Sequence, residues 1–172
     1  IRVQSYKPSN SAKALAEHLQ IPRLSTSSSR FVGRPSDIIV NWGNVNAVHN
    51  SHYLNPLQAV KNAANKITTF KQLQEASIPV PTVHYSKSTL EADKTYFART
   101  NLFGHSGDGI EVGIPTELPE AQLYTEFIKK KHEYRAIVVD DEVVDLKKKL
   151  KKRDFEGDRS PYVWNVANGY IF

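Results

Sequence analysis

The stretch Gly104-His105-Ser106-Gly107-Asp108-Gly109 joins two segments that read as strands, 95–100 and 110–112. Dinucleotide and P-loop fingerprints need a helix N-terminus directly after their glycines, and the pattern here continues as strand. A glycine-rich hairpin instead folds over a triphosphate, offering backbone N–H groups and the Ser106 hydroxyl to its oxygens. The same glycines equally suit a hairpin that only needs positive φ. Arg99 ends the strand leading into this hairpin, so its charge faces whatever the hairpin covers; a solvated strand-end cation is the plainer alternative. Lys66, just before Ile67-Thr68-Thr69-Phe70, carries the same two readings.

A second constellation is Tyr124-Thr125-Glu126-Phe127-Ile128 followed by Glu133-Tyr134-Arg135. An apolar strand ending at Glu126 can present the main chain of Phe127 and Ile128 to an adenine edge. Glu133 then stands where a carboxylate accepts hydrogen bonds from ribose hydroxyls. Lys129–Lys131 between them are expected to be exposed, and an ordinary strand–loop–strand with surface charges remains the alternative. The densest basic run is Lys147-Lys148-Lys149 with Lys151, Lys152 and Arg153. Strand side chains alternate, so Lys148 faces away from Lys147 and Lys149. One face can therefore point a lysine into a phosphate site while the other meets water. A nucleic-acid patch or a solvated edge strand are the rivals. The histidines at 18, 49, 52, 84, 105 and 132 form no i, i+4 metal pair with a matching acid, and no Ser/His/Asp ordering stands out.

These groups sit in a chain of 172 residues, 40% apolar and 24% charged, which is the composition of a globular protein. No apolar run approaches the roughly 20 residues of a membrane span, so no membrane partner is expected. The absence of cysteine excludes a disulfide scaffold, a thiolate zinc site and a cysteine nucleophile. A net charge of +5 and a pI near 9.3 attract phosphates, in nucleotides or in nucleic acid. The chain lacks Met and begins at Ile1, so it is expected to be an excerpt of a longer protein.

The elements that must position the groups follow from pattern. Residues 1–44 read as strand, helix, strand: 2–6 extended, a helix capped by Ser9, Asn10 or Ser11 and running through Gln20, and an apolar strand over 37–43. Asn55-Pro56 opens a helix over 57–64, and a second helix spans 67–76 up to Ser77. The prolines make 79–85 extended. Strands are expected at 122–127, 133–139 and 143–149, with a charged hairpin turn at Asp140-Asp141-Glu142 and a polar loop over 150–161. The class is α/β (α+β).

The order Asn65-Lys66…Phe70…Ala76-Ser77-Ile78-Pro79-Val80-Pro81, then Tyr96-Phe97-Ala98-Arg99 and the glycine hairpin, resembles the ATP-grasp superfamily. Thr125-Glu126-Phe127-Ile128…Glu133-Tyr134-Arg135 followed by 143–148 adds to the match, which covers about residues 35–172. The chain is most similar to the branch that ligates glutamate to a ribosomal protein and to ATP-grasp proteins of tailed bacteriophages. The resemblance implies a small N-terminal α/β lobe (1–55), an ATP-grasp small lobe (56–118) and the start of an incomplete C-terminal lobe (119–172).

It also implies an ATP-dependent carboxylate–amine ligase acting through an acyl-phosphate in the cytoplasm, of the host if phage-encoded. ATP and Mg2+ would be the cofactors, with an undefined carboxylate and amine as substrates. By position, Lys66 and Arg99 would contact ATP phosphates, and Gly104, His105, Ser106, Gly107 and Gly109 would close on the triphosphate. Glu126, Phe127 and Ile128 would hold adenine and Glu133 the ribose. Lys148 would touch phosphate or the acyl-phosphate, with Arg159 and Asn168 on the substrate side. The family's magnesium ligands, an Asp and a Glu-x-Asn pair, have no counterpart before Phe172, and Asn165 and Asn168 do not reproduce them. A basic nucleic-acid-binding module, and a non-catalytic phage protein that binds a host partner, are the alternatives.

Overall fold

Four short parallel strands and the helix between the first two organise the N-terminal part of the chain. A computed structural model describes residues 1–5, 8–24, 30–46, 50–104 and 107–172. Ile1–Gln72 and Leu73–Phe172 form two compact units. In the first, β1 (Arg2–Ser5), α1 (Asn10–His18), β2 (Arg23–Leu24), β3 (Ile38–Trp42) and β4 (His52–Leu54) build a sheet of order β2-β1-β3-β4. All its pairings are parallel. Ser9 caps α1 by accepting the Ala12 N–H at 3.3 Å. Ala12 and Ala16, one turn apart, let the helix close on Val3 of β1. The helix ends earlier than its apolar pattern suggests, with Gln20 in the left-handed region at φ 54°.

The strands β2 and β4 are absent from the strand–helix–strand expectation. They have two and three residues, too few for an alternating pattern to show. The unit continues with α2 (Leu57–Ala64) and enters α3 (Lys66–Glu75). Pro56 stands just ahead of α2, and the Asn65 side chain accepts the N–H groups of Ile67 and Thr68, which starts α3 anew.

The second unit is built on antiparallel strands. β5 (Val83–His84), β6 (Tyr96–Arg99), β7 (Ile110–Gly113) and β8 (Tyr124–Glu126) form a sheet of order β5-β8-β6-β7. Its core is Tyr96, Ala98, Leu118 and Tyr124. Each buried phenol is satisfied: Tyr96 accepts the Glu91 N–H, and Tyr124 accepts from Ala121 while donating to Pro119. A hairpin follows, β9 (Tyr134–Val139) and β10 (Glu142–Lys148), turning on Asp140 and Asp141. Both turn residues have positive φ, as a two-residue hairpin requires.

Where a polar loop is expected, β11 (Leu150–Lys151) pairs instead with β12 (Tyr170–Ile171). That pairing folds the aromatic C-terminal stretch back onto the unit. With a parallel sheet in one unit and antiparallel sheets in the other, the chain is a mixed α+β protein. No helix among the described residues is long and apolar enough to cross a membrane.

Candidate functional site

The glycine hairpin is positioned by the β6–β7 pairing. Arg99 faces Ile110 across it, and the Thr100 N–H donates to Gly109 at 2.9 Å. Gly107 and Gly109 both have positive φ, at 93° and 66°. A Cβ on Gly107 would lie 2.9 Å from Val163 Cγ1, so the hairpin rests directly on the C-terminal stretch. A Cβ on Gly104 would meet the Asp108 carbonyl at 2.5 Å. His105 and Ser106 lie outside the described residues.

Beside the hairpin the second unit carries an open-mouthed cavity of about 490 Å³, within the range of roughly 300–1,000 Å³ common for small-molecule sites. Phe97, Tyr162, Trp164, Tyr170 and Phe172 supply aromatic wall. Trp164 stacks on Tyr170 with ring centroids 4.9 Å apart. Among the described lining residues four are basic, Arg99, Lys130, Arg135 and Lys149, and Glu133 is the one acid. Lys130 lies over Trp164, and Arg135 and Lys149 lie over Phe172. Burial pulls the Arg99 guanidinium below its ordinary pKa.

Lys149 is 10% exposed and Glu133 28%. Lys130 donates to one carboxylate oxygen of Glu133 and Lys149 to the other, and Lys149 also donates to the Trp164 carbonyl. Burial pushes the Glu133 carboxyl up, but the hydrogen bonds and charges of the two lysines outweigh it and hold its pKa below the usual carboxylate value. A depressed folded-state pKa means this stabilisation is complete above the unfolded value, about 4.3, and is lost as pH falls through the folded one. Acidification from pH 6 to 3 should therefore lower the urea midpoint less steeply in Glu133→Gln than in the wild type. Parallel curves for the two proteins would show that Glu133 contributes nothing to the acid limb.

Arg99, Gly107 and Glu133 of the sequence-read residues line this cavity together. Lys148 does not. The expectation that Lys148 points inward and Lys149 outward is reversed, and register gives the reason. Across the hairpin Arg135 opposes Lys147 and Tyr134 opposes Lys148, while the Lys149 N–H donates to the Glu133 carbonyl at 2.8 Å. Lys149 therefore shares the face of Glu133 and Arg135, and Lys148 shares that of Tyr134. Alternation says which lysines stand together, not which face is inward. Lys147, also on the inward side, is exposed and paired with Asp145 at 3.1 Å. Lys130, expected in solvent, is drawn in by Glu133.

The other residues fall elsewhere. Glu126 lies 3.6 Å from Lys94. The Phe127 N–H, expected at an adenine edge, is already committed to the Thr95 carbonyl at 2.8 Å. The Phe127 ring instead packs edge-on against Phe97 and Tyr162, behind the cavity wall. Ile128 is exposed. Gly109 packs against Asn101, away from the lining. Asn168 holds the wall from outside, donating to the Val163 carbonyl at 2.7 Å. Arg159 donates to the Lys152 carbonyl at 2.7 Å and lies over Phe155, so it works as a loop brace. Lys66 opens α3 in the other unit.

Lys130, Arg135, Lys149 and the aromatic residues from Tyr162 to Phe172 are the lining that sequence reasoning missed. The density of aromatics in that last stretch is the signal that marks it. No group of three or more His, Asp or Glu side chains among the described residues is arranged to hold a metal ion. Glu133, engaged by two lysines, does not fit the magnesium that the resemblance implies. An anion is another matter, because four gathered cations and the positive-φ backbone at Gly107 suit one. No protein-family model matches the chain, and no curated protein matches it.

Proposed function

We propose that the cavity of the second unit binds the triphosphate of ATP, and that the chain is the nucleotide-binding part of an ATP-dependent carboxylate–amine ligase with the ATP-grasp fold. The observation that carries the first half is the gathering of Arg99, Lys130, Arg135 and Lys149 around one aromatic-walled cavity beside a glycine hairpin. The order of segments from Asn65 to Lys148 supports the second half. ATP, when bound, supplies the phosphoryl group that activates a carboxylate. The chain's own residues position that group and offset its charge, through cations already fixed before the ligand arrives. The carboxylate and amine come from outside the site described here.

Hydrogen exchange tests the placement. ATP should slow exchange of the amides from Gly107 to Gly109, since phosphate oxygens would occupy them. Unchanged exchange at saturating ATP contradicts a phosphate-covering hairpin.

A second reading has its own observation. Lys148, Lys151, Lys152 and Arg153 are all exposed, as in a nucleic-acid footprint. For a duplex-binding patch, each of these mutated to alanine should lower the salt slope of binding by about one unit. Under the nucleotide reading the same variants leave ATP affinity unchanged.

A further inference from the structure

We propose that Glu133 is an internal counter-anion occupying the seat of the phosphate chain, and that ligand binding replaces its carboxylate on Lys130 and Lys149 with phosphate oxygens. This rests on the reading of the cavity as a nucleotide site and assigns a specificity-determining role within it.

Both carboxylate oxygens of Glu133 accept from lysine, one from Lys130 and one from Lys149. Lys149 has three N–H donors. One goes to Glu133 and one to the Trp164 carbonyl, while its charge lies 4.7 Å from the centre of the Phe172 ring. An ammonium that is nine-tenths buried needs an anion, and the chain provides its own. A carboxylate tethered next to its partners acts at an effective concentration far above that of a free ion. A dissolved monoanion offers the lysines no more charge than Glu133 already gives them, so it loses that competition. A polyphosphate carries several charges on one chain and reaches Arg99 and Arg135 of the same cavity as well. The ligand class this selects is an extended polyphosphate, such as the tail of a nucleoside triphosphate, over a monoanion such as acetate. Glu133 is then a competitor of the ligand and not its ribose partner.

The two roles predict opposite signs. Calorimetric titration of the whole chain with tripolyphosphate should show at least tenfold tighter binding to Glu133→Gln than to the wild type. Equal or weaker binding by the variant, with the wild type still binding ATP, overturns the counter-anion and leaves the nucleotide site standing. Failure of both proteins to bind tripolyphosphate or ATP at millimolar concentration defeats the nucleotide site and this inference with it. Because removing Glu133 leaves Lys149 without its anion, the variant is also to be checked for folding. A second measurement uses the wild type alone, with 13C label on the glutamate carboxyl carbons. Tripolyphosphate should shift the Glu133 Cδ resonance as the carboxylate leaves its lysines. A resonance unmoved at saturation overturns the proposal independently of any variant.

Discussion

Replacing Lys149 by alanine should weaken ATP binding roughly 10- to 150-fold, which corresponds to losing a charge-assisted hydrogen bond of about 1.5–3 kcal/mol. Lys149, between β10 and β11, is nine-tenths buried, lines the cavity and is oriented by Glu133 and the Trp164 carbonyl. Its neighbour Lys148 is exposed on the opposite face, so Lys148→Ala should change affinity less than about twofold, as exposed charges usually do. Removing Lys149 leaves Glu133 paired with Lys130. The fold therefore tolerates the change better than it would the loss of Glu133. Equal effects of the two substitutions would mean that the cavity is not where ATP binds.

The largest stability effect should come from Gly109→Ala. At φ 66° the left-handed conformation costs a side chain about 1–2 kcal/mol. The new Cβ would stand 2.5 Å from Asn101 Cβ and 2.7 Å from the Asn101 backbone nitrogen, neither of which can swing aside. Overpacking of that kind adds about 1–3 kcal/mol. A total loss of at least about 2 kcal/mol is expected. Urea unfolding followed by Trp164 fluorescence in a Trp42→Phe background reads it. Gly107→Ala meets only side-chain atoms, Val163 Cγ1 and Asn165 Nδ2, in the wall of the cavity. It should reduce ATP affinity more than stability. A Gly109→Ala protein with an unchanged midpoint would show that the hairpin backbone is not held as described.

What could be read in the sequence was whatever depends on local pattern. The run Ile38-Ile39-Val40 announces a buried parallel strand, and Asn55-Pro56 and Asn65 announce helix starts, because each signal lies within a few residues of its effect. Arg99, Gly107 and Glu133 were legible for the same reason, as a strand-end cation, a positive-φ glycine and a carboxylate after an apolar strand. What failed depends on contacts distant in sequence. The pairing of β11 with β12 joins Leu150 to Ile171, and it carries the aromatic wall into the site. No local pattern encodes that. The lysine run shows the limit most clearly: period-two alternation separated Lys148 from Lys147 and Lys149. Only tertiary packing decides which side meets Glu133, Arg135 and the aromatic tail.

Titration calorimetry of the whole chain with ATP is the most direct test of the cavity as a nucleotide site, run on the wild type and on Arg99→Ala/Lys149→Ala. Saturable one-to-one binding by the wild type is expected, with affinity lost in the double variant and kept in Lys148→Ala. Absence of heat from the wild type at millimolar ATP, or binding that survives loss of both Arg99 and Lys149, would contradict it.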